Sequence, residues 1–131
     1  MIGEILTPLT DTIYQSPWNL RFTTFRFGPM YIHFVLKDMS KLPPHLAAEA
    51  DTVEDHRNGG KFNFKRFIIF SIVNENQAYL LYQYDSQLEA TENFTNIIEE
   101  LKRGKEIELI DQAGMFETLQ ISYRGVKWIW E

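Results

Sequence analysis

The sequence predicts an α+β domain: a mainly antiparallel sheet of about six to seven strands, ordered ββαββαβββ, with two main helices packed on it. Three stretches carry that prediction. Between Arg66 and Tyr84, two runs of β-branched and aromatic residues flank a polar Asn74-Glu75-Asn76-Gln77 turn, the pattern of a hairpin. Between Asp85 and Arg103, apolar residues recur at helical spacing, with a capping serine before them and a glycine after. Beyond Gly104, short apolar runs separated by turn residues read as a meander.

The hairpin is the organising element. Phe67, Ile69, Ser71 and Val73 alternate with Ile68, Phe70 and Ile72. Both faces of that strand are apolar, so it is expected at the centre of the sheet and covered on both sides. The first 19 residues are less regular. Ile2, Ile5, Leu6 and Leu9 have helical spacing but Pro8 interrupts them, and Thr7 is placed to cap a short helix from about 8 to 15. Leu20 to Phe27 alternates and reads as a strand, which Gly28-Pro29 ends. Met30 to Leu36 is rich in Tyr, Ile, Phe and Val and reads as a second strand, with a helix as the alternative.

Pro43-Pro44 opens a helix expected to run to about His56, with Leu46, Ala50 and Val53 on one face and Arg57-Asn58-Gly59-Gly60 after it. In the second helix Ser86 and Glu89 fit a capping box, and Leu88, Phe94, Ile97, Ile98 and Leu101 form the expected buried stripe. Glu89 and Glu92 near its start and Lys102 and Arg103 at its end suit the helix dipole. Strands are expected over 105–110, 115–123 and 126–130.

Composition narrows the function classes. A chain of 131 residues, 44% hydrophobic and 15% aromatic, is expected to be one globular domain over 1–131 with its own core. It has no cysteine, so neither a disulfide framework nor a thiolate metal site is possible. The first residues lack the basic region of a signal peptide and carry Glu4 early. No apolar run approaches the roughly 20 residues of a membrane span, so a cytoplasmic protein is expected. The net charge is −5, with −6 in residues 67–131 and +1 in residues 1–66. An acidic half opposes broad nucleic-acid binding and suits a basic partner.

Three constellations invite a chemical reading. The polar helix contributes His45, Glu49, Asp51, Glu54, Asp55 and His56. On one continuous helix its two histidines, eleven residues apart, stand about 16 Å from each other, too far for one ion. The i, i+4 histidine spacing of a helical zinc site and the calcium-loop pattern are both absent. Lys61-Phe62-Asn63-Phe64-Lys65-Arg66-Phe67 interleaves basic and aromatic residues like the RNA-recognition sheet motif, but Gly60-Lys61 reverses the motif's start and the element order differs. It reads instead as a strand entering the core. The final strand would present Trp128 and Trp130 on one face, with Tyr123 and Arg124 before it, either as interface anchors or as cover for the core beside the helices. Nucleophile-elbow, Walker and dinucleotide-binding motifs are all missing, and His33 lies within an expected strand.

The profile is small, acidic, cysteine-free and rich in aromatics, and in that it is similar to bacterial immunity proteins. What that likeness implies is a non-catalytic inhibitor that masks a toxin, with no cofactor and no metal. Its partner would be another protein, basic, such as a nuclease. Asp51, Glu54 and Asp55, or else Glu92, Glu99 and Glu106, would face the partner's basic groove, with Tyr123, Trp128 or Trp130 as anchors. Two other readings stand beside it. One is a ligand-binding or enzymatic domain with a pocket between sheet and helices, where His33 acts. The other is a homo-oligomeric accessory subunit joined through an edge strand.

Overall fold

A computed structural model describes residues 3–5, 17–27, 29–55, 59–74, 77–103, 120–121 and 127–129. Its elements in chain order are β1 (Gly3–Ile5), β2 (Asn19–Phe27), β3 (Met30–Asp38), α1 (Pro44–Ala50), β4 (Glu54–Asp55), β5 (Gly60–Lys61), β6 (Phe67–Asn74), β7 (Gln77–Tyr84), α2 (Gln87–Lys102) and β8 (Gln120–Ile121). Two 3-10 turns occupy Met39–Lys41 and Lys127–Ile129. Among the described residues the main sheet runs β1-β2-β3-β6-β7-β8 with every neighbour antiparallel, and β4 pairs with β5 apart from it. The expected α+β class with an antiparallel sheet is borne out.

The alternation read in the hairpin becomes two cores. On one face of the sheet Val35, Ile68, Phe70, Ile72, Ala78 and Leu80 pack with Trp18, Leu46, Ala50, Val53, Trp128 and Ile129. On the other, Phe25, Ile32, Phe34, Leu36, Phe67 and Ile69 lie beneath Ala90, Phe94, Ile97, Ile98 and Leu101 of α2. β6 sits between β3 and β7 and is buried from Phe67 to Ile72, as its two apolar faces predict. Met30 to Leu36 is strand rather than helix, and continues to Asp38. The reason is tertiary: Ile32, Phe34 and Leu36 serve one core while Val35 serves the other, and only a period of two can feed both.

Several expectations are corrected. The first helix ends at Ala50, not near His56. Thr52 turns it off: its hydroxyl donates to the Glu49 carbonyl at 2.7 Å, and its own N–H bonds the same oxygen at 3.1 Å. Glu54 and Asp55 therefore lie in a strand, registered against Lys61 and Gly60. Gly59, at φ 70°, takes the left-handed conformation before β5, which glycine adopts without strain. Leu88, expected in the buried stripe of α2, is 70% exposed. It lies six residues before Phe94, about one and two-thirds turns, which sets it off the stripe that Ala90 joins. Across the central hairpin Asn74 pairs with Gln77, so the connection is two residues rather than four.

The strand expected over 126–130 is instead a 3-10 turn at 127–129. Trp128 and Ile129 are both fully enclosed, and consecutive residues of a strand cannot both point into one core. Gln120 and Ile121 are strand, as expected within 115–123, and pair with Tyr79 and Ala78. The helix expected near 8–15, the strand over 105–110 and the rest of 115–123 lie outside the described residues. Among the described residues no helix is long and apolar enough to cross a membrane.

Candidate functional site

The site begins at the end of β3. Asp38 caps the 3-10 turn, with Oδ1 accepting from the Ser40 N–H at 3.0 Å and the Ser40 hydroxyl at 2.7 Å. Arg66 reaches the same carboxylate with Nε at 3.1 Å and a second guanidinium nitrogen at 3.2 Å. Burial alone would push the Asp38 carboxyl up, but the hydrogen bonds from Arg66 and Ser40 and the charge of Arg66 outweigh it and hold it below the usual range. The Met39 N–H also donates to the Arg66 carbonyl at 2.7 Å. This knot fixes the bend that presents Met39 and Leu42.

Pro44 then starts α1, whose missing N–H costs nothing at a helix start. Leu46 and Ala50 face the core, and Asp51 is the C-cap, its N–H bonded to the Ala47 carbonyl at 3.0 Å. On the far side of the β4–β5 hairpin, the Phe62 N–H donates to the Val53 carbonyl at 2.9 Å. This brings the 62–64 segment alongside α1. Residues 62–66 are not strand, contrary to the expectation from their interleaved pattern. Phe62 and Phe64 instead lie half-buried against the first core, their ring centroids 4.7 Å apart and edge-on. Phe67 is buried in the opposite core.

Between these pieces lies a cleft of about 230 Å³, lined by Met39, Leu42, Ala47, Ala50, Asp51, Phe62, Asn63 and Phe64. Among the described residues, the one charged side chain in its wall is the exposed Asp51. Under it the aromatic contacts continue inward. Phe64 meets Trp128 at 5.3 Å, and Trp128 meets Phe70 at 5.6 Å and Trp18 at 6.1 Å.

The acidic residues offered by the sequence are thus divided between two faces. Asp51 and Glu54 are exposed at the end of α1 and in β4, and Asp55 follows in β4. Glu92 and Glu99 are exposed on α2, against the other face of the sheet; Glu106 lies outside the described residues. Trp128 is a correction. It is 0% exposed, a core residue beneath the cleft rather than a surface anchor. Its indole Nε1–H is buried without an acceptor among the described residues. Tyr123 and Trp130 lie outside the described residues. The cleft itself was missed, because Met39, Leu42 and Phe64 meet only through the fold. The signal available was the pairing of Phe62 and Phe64 next to a proline-opened helix.

His33 belongs to the first-core face of β3 but does not line the cleft. Its Nδ1 and the Thr24 hydroxyl oxygen are hydrogen bonded at 2.7 Å, and its ring stacks on Phe22 at 5.7 Å. Burial pushes its pKa down to about 4, so it is neutral at physiological pH. No group of three or more metal-ligating side chains forms among the described residues. The chain matches no protein-family model, no curated protein and no solved structure.

Proposed function

We propose that this protein is a non-catalytic binder and inhibitor of a basic protein, of the toxin-immunity type, acting through the face made by α1, β4 and residues 62–64. The observation that carries the reading is a cleft that joins apolar side chains (Met39, Leu42, Phe62 and Phe64) to a carboxylate and an amide in its wall, with a second exposed carboxylate three residues on at Glu54. An apolar centre with a charged rim is the common anatomy of a protein interface. The chain's net charge of −5 raises the rate of encounter with a basic partner, and the cleft supplies the contact that holds it. Between the two acidic groups, this arrangement favours the Asp51–Glu54 side, where the cleft lies. A pocket served by His33 has less support, since that imidazole is enclosed by Phe22 and Thr24 away from the cleft.

The test is a capture experiment at low salt with tagged protein in a lysate of the native host, followed by kinetics on the recovered species. The reading expects one stoichiometric basic protein whose activity is blocked, whose association slows at least tenfold between about 0.01 and 0.15 M salt, and which Glu54→Lys weakens. A partner whose association is flat across that range, or indifferent to Glu54→Lys, would sink it.

A further inference from the structure

We propose that the cleft takes one arginine side chain of the basic partner, with the guanidinium against Asp51 and the rings of Phe62 and Phe64. This rests on the function proposed above and names the group recognised there. The volume comes first. About 230 Å³ is less than the roughly 300–1,000 Å³ of pockets that enclose small molecules and cofactors, so a side chain is the better-sized occupant.

The lining then selects among side chains. Met39, Leu42 and Ala47 offer an apolar wall for an alkyl stem, while Asp51 and Asn63 offer acceptors for a polar head. A wholly apolar plug would strip water from Asp51 and Asn63 and return no hydrogen bond to either. An anion would meet the carboxylate. The sign of the site is reinforced by the backbone, because Asp51 is the C-cap of α1 and a helix C-terminus also favours a cation.

Arginine is chosen over lysine for its shape. A planar, weakly hydrated guanidinium stacks on aromatic rings while still donating in its own plane. The fold already makes cation–ring contacts: Arg21 over Phe94 at 5.4 Å, Arg66 over Phe67 at 4.8 Å and Lys37 over Trp18 at 3.8 Å, so on phenylalanine rings, as in the cleft, the cation is arginine both times. The flanks limit the neighbourhood. Lys41 and Lys61 are exposed on either side of the lining segments, so the fit is to a single projecting arginine and not to a polybasic run.

The test is an amide-resolved NMR titration of the full chain with a blocked Gly-Arg-Gly peptide and with its citrulline counterpart, which keeps the shape and loses the charge. The inference expects saturable shifts confined to residues 39–42, 47–51 and 62–64, a citrulline peptide at least about tenfold weaker, and an arginine affinity reduced about tenfold by Asp51→Asn. Asp51 is exposed, so this variant keeps the fold; Ala47→Met, which fills the cleft, is the second blocking change. Shifts centred elsewhere, equal binding of the two peptides, or no saturation up to the peptide's solubility would overturn it. The two readings separate cleanly. A captured basic partner that Glu54→Lys weakens but Asp51→Asn and Ala47→Met leave unchanged would refute the arginine site and keep the binding function.

Discussion

At the scale of single residues, the interior holds polar groups whose protonation governs stability. His33 is neutral in the fold, with a pKa pushed down to about 4 by burial, against the 6.5 of a free imidazole side chain. The unfolded chain therefore binds the extra proton first. Stability contributed by the neutral ring is fully present above about pH 6.5 and is lost as the pH falls from there towards 4. Denaturant melts at pH 7 and pH 5 are expected to show that loss in the natural chain and a smaller one in His33→Phe. Trp128 is the other case. Its ring touches Trp18, Phe64 and Phe70 at the bottom of the cleft, so Trp128→Ala is expected to cost about 3–5 kcal/mol in the same melts. A smaller loss, under about 1 kcal/mol, would place the indole at the surface instead.

At the scale of elements, α2 separates capping from packing. Ser86 Oγ accepts from the Glu89 N–H at 3.4 Å, and Ser86→Ala is expected to cost about 1 kcal/mol. Phe94 is buried in the second core and Phe94→Ala is expected to cost about 3–5 kcal/mol, while Leu88→Gln on the exposed side should stay within about 0.5 kcal/mol. Chemical unfolding of the three variants orders them. If Leu88→Gln costs as much as Phe94→Ala, the helix faces the sheet with another side. The bend after β3 is held differently, by charge. Asp38 is kept ionised by Arg66 and Ser40, so its contribution is present above the ordinary carboxylate pKa and is lost as pH falls through its lowered value. Asp38→Asn should loosen the Met39–Leu42 wall of the cleft. Faster amide exchange at Ser40, whose N–H donates to that carboxylate, reads this directly.

At the scale of the molecule, the sheet separates the exposed carboxylates Asp51 and Glu54 from Glu92 and Glu99. α2 covers one face; α1, the β4–β5 hairpin and the cleft cover the other. On the function proposed above, a rigid partner would dock on one of them. Glu92→Lys together with Glu99→Lys is expected to lower the on-rate of a basic partner only a few-fold and leave its off-rate alone, because charges away from the contact act through the long-range field. If the arginine site proposed above is right, Asp51→Asn should raise the off-rate about tenfold, because it would remove that contact. Surface kinetics at two salt concentrations distinguish the effects, and the reverse pattern would move the interface to α2.

What the sequence determined by itself is local and periodic. The two-faced strand Phe67 to Ile72, the serine-capped helix and the strands around Gly28-Pro29 follow from hydrophobic spacing, caps and turn residues, all of which act over a few neighbours. The end of α1 was not legible, because Thr52 competes for a carbonyl that the helical pattern alone would have left to the chain. Nor was the role of Trp128: two adjacent residues turn inward only because a core is there to receive them, and a repeat of two had suggested a surface strand. The cleft belongs wholly to tertiary structure. Met39, Asp51 and Phe64 are separated along the chain and brought together by the Asp38–Arg66 knot and the short β4–β5 hairpin, and contacts of that kind leave no period in a sequence.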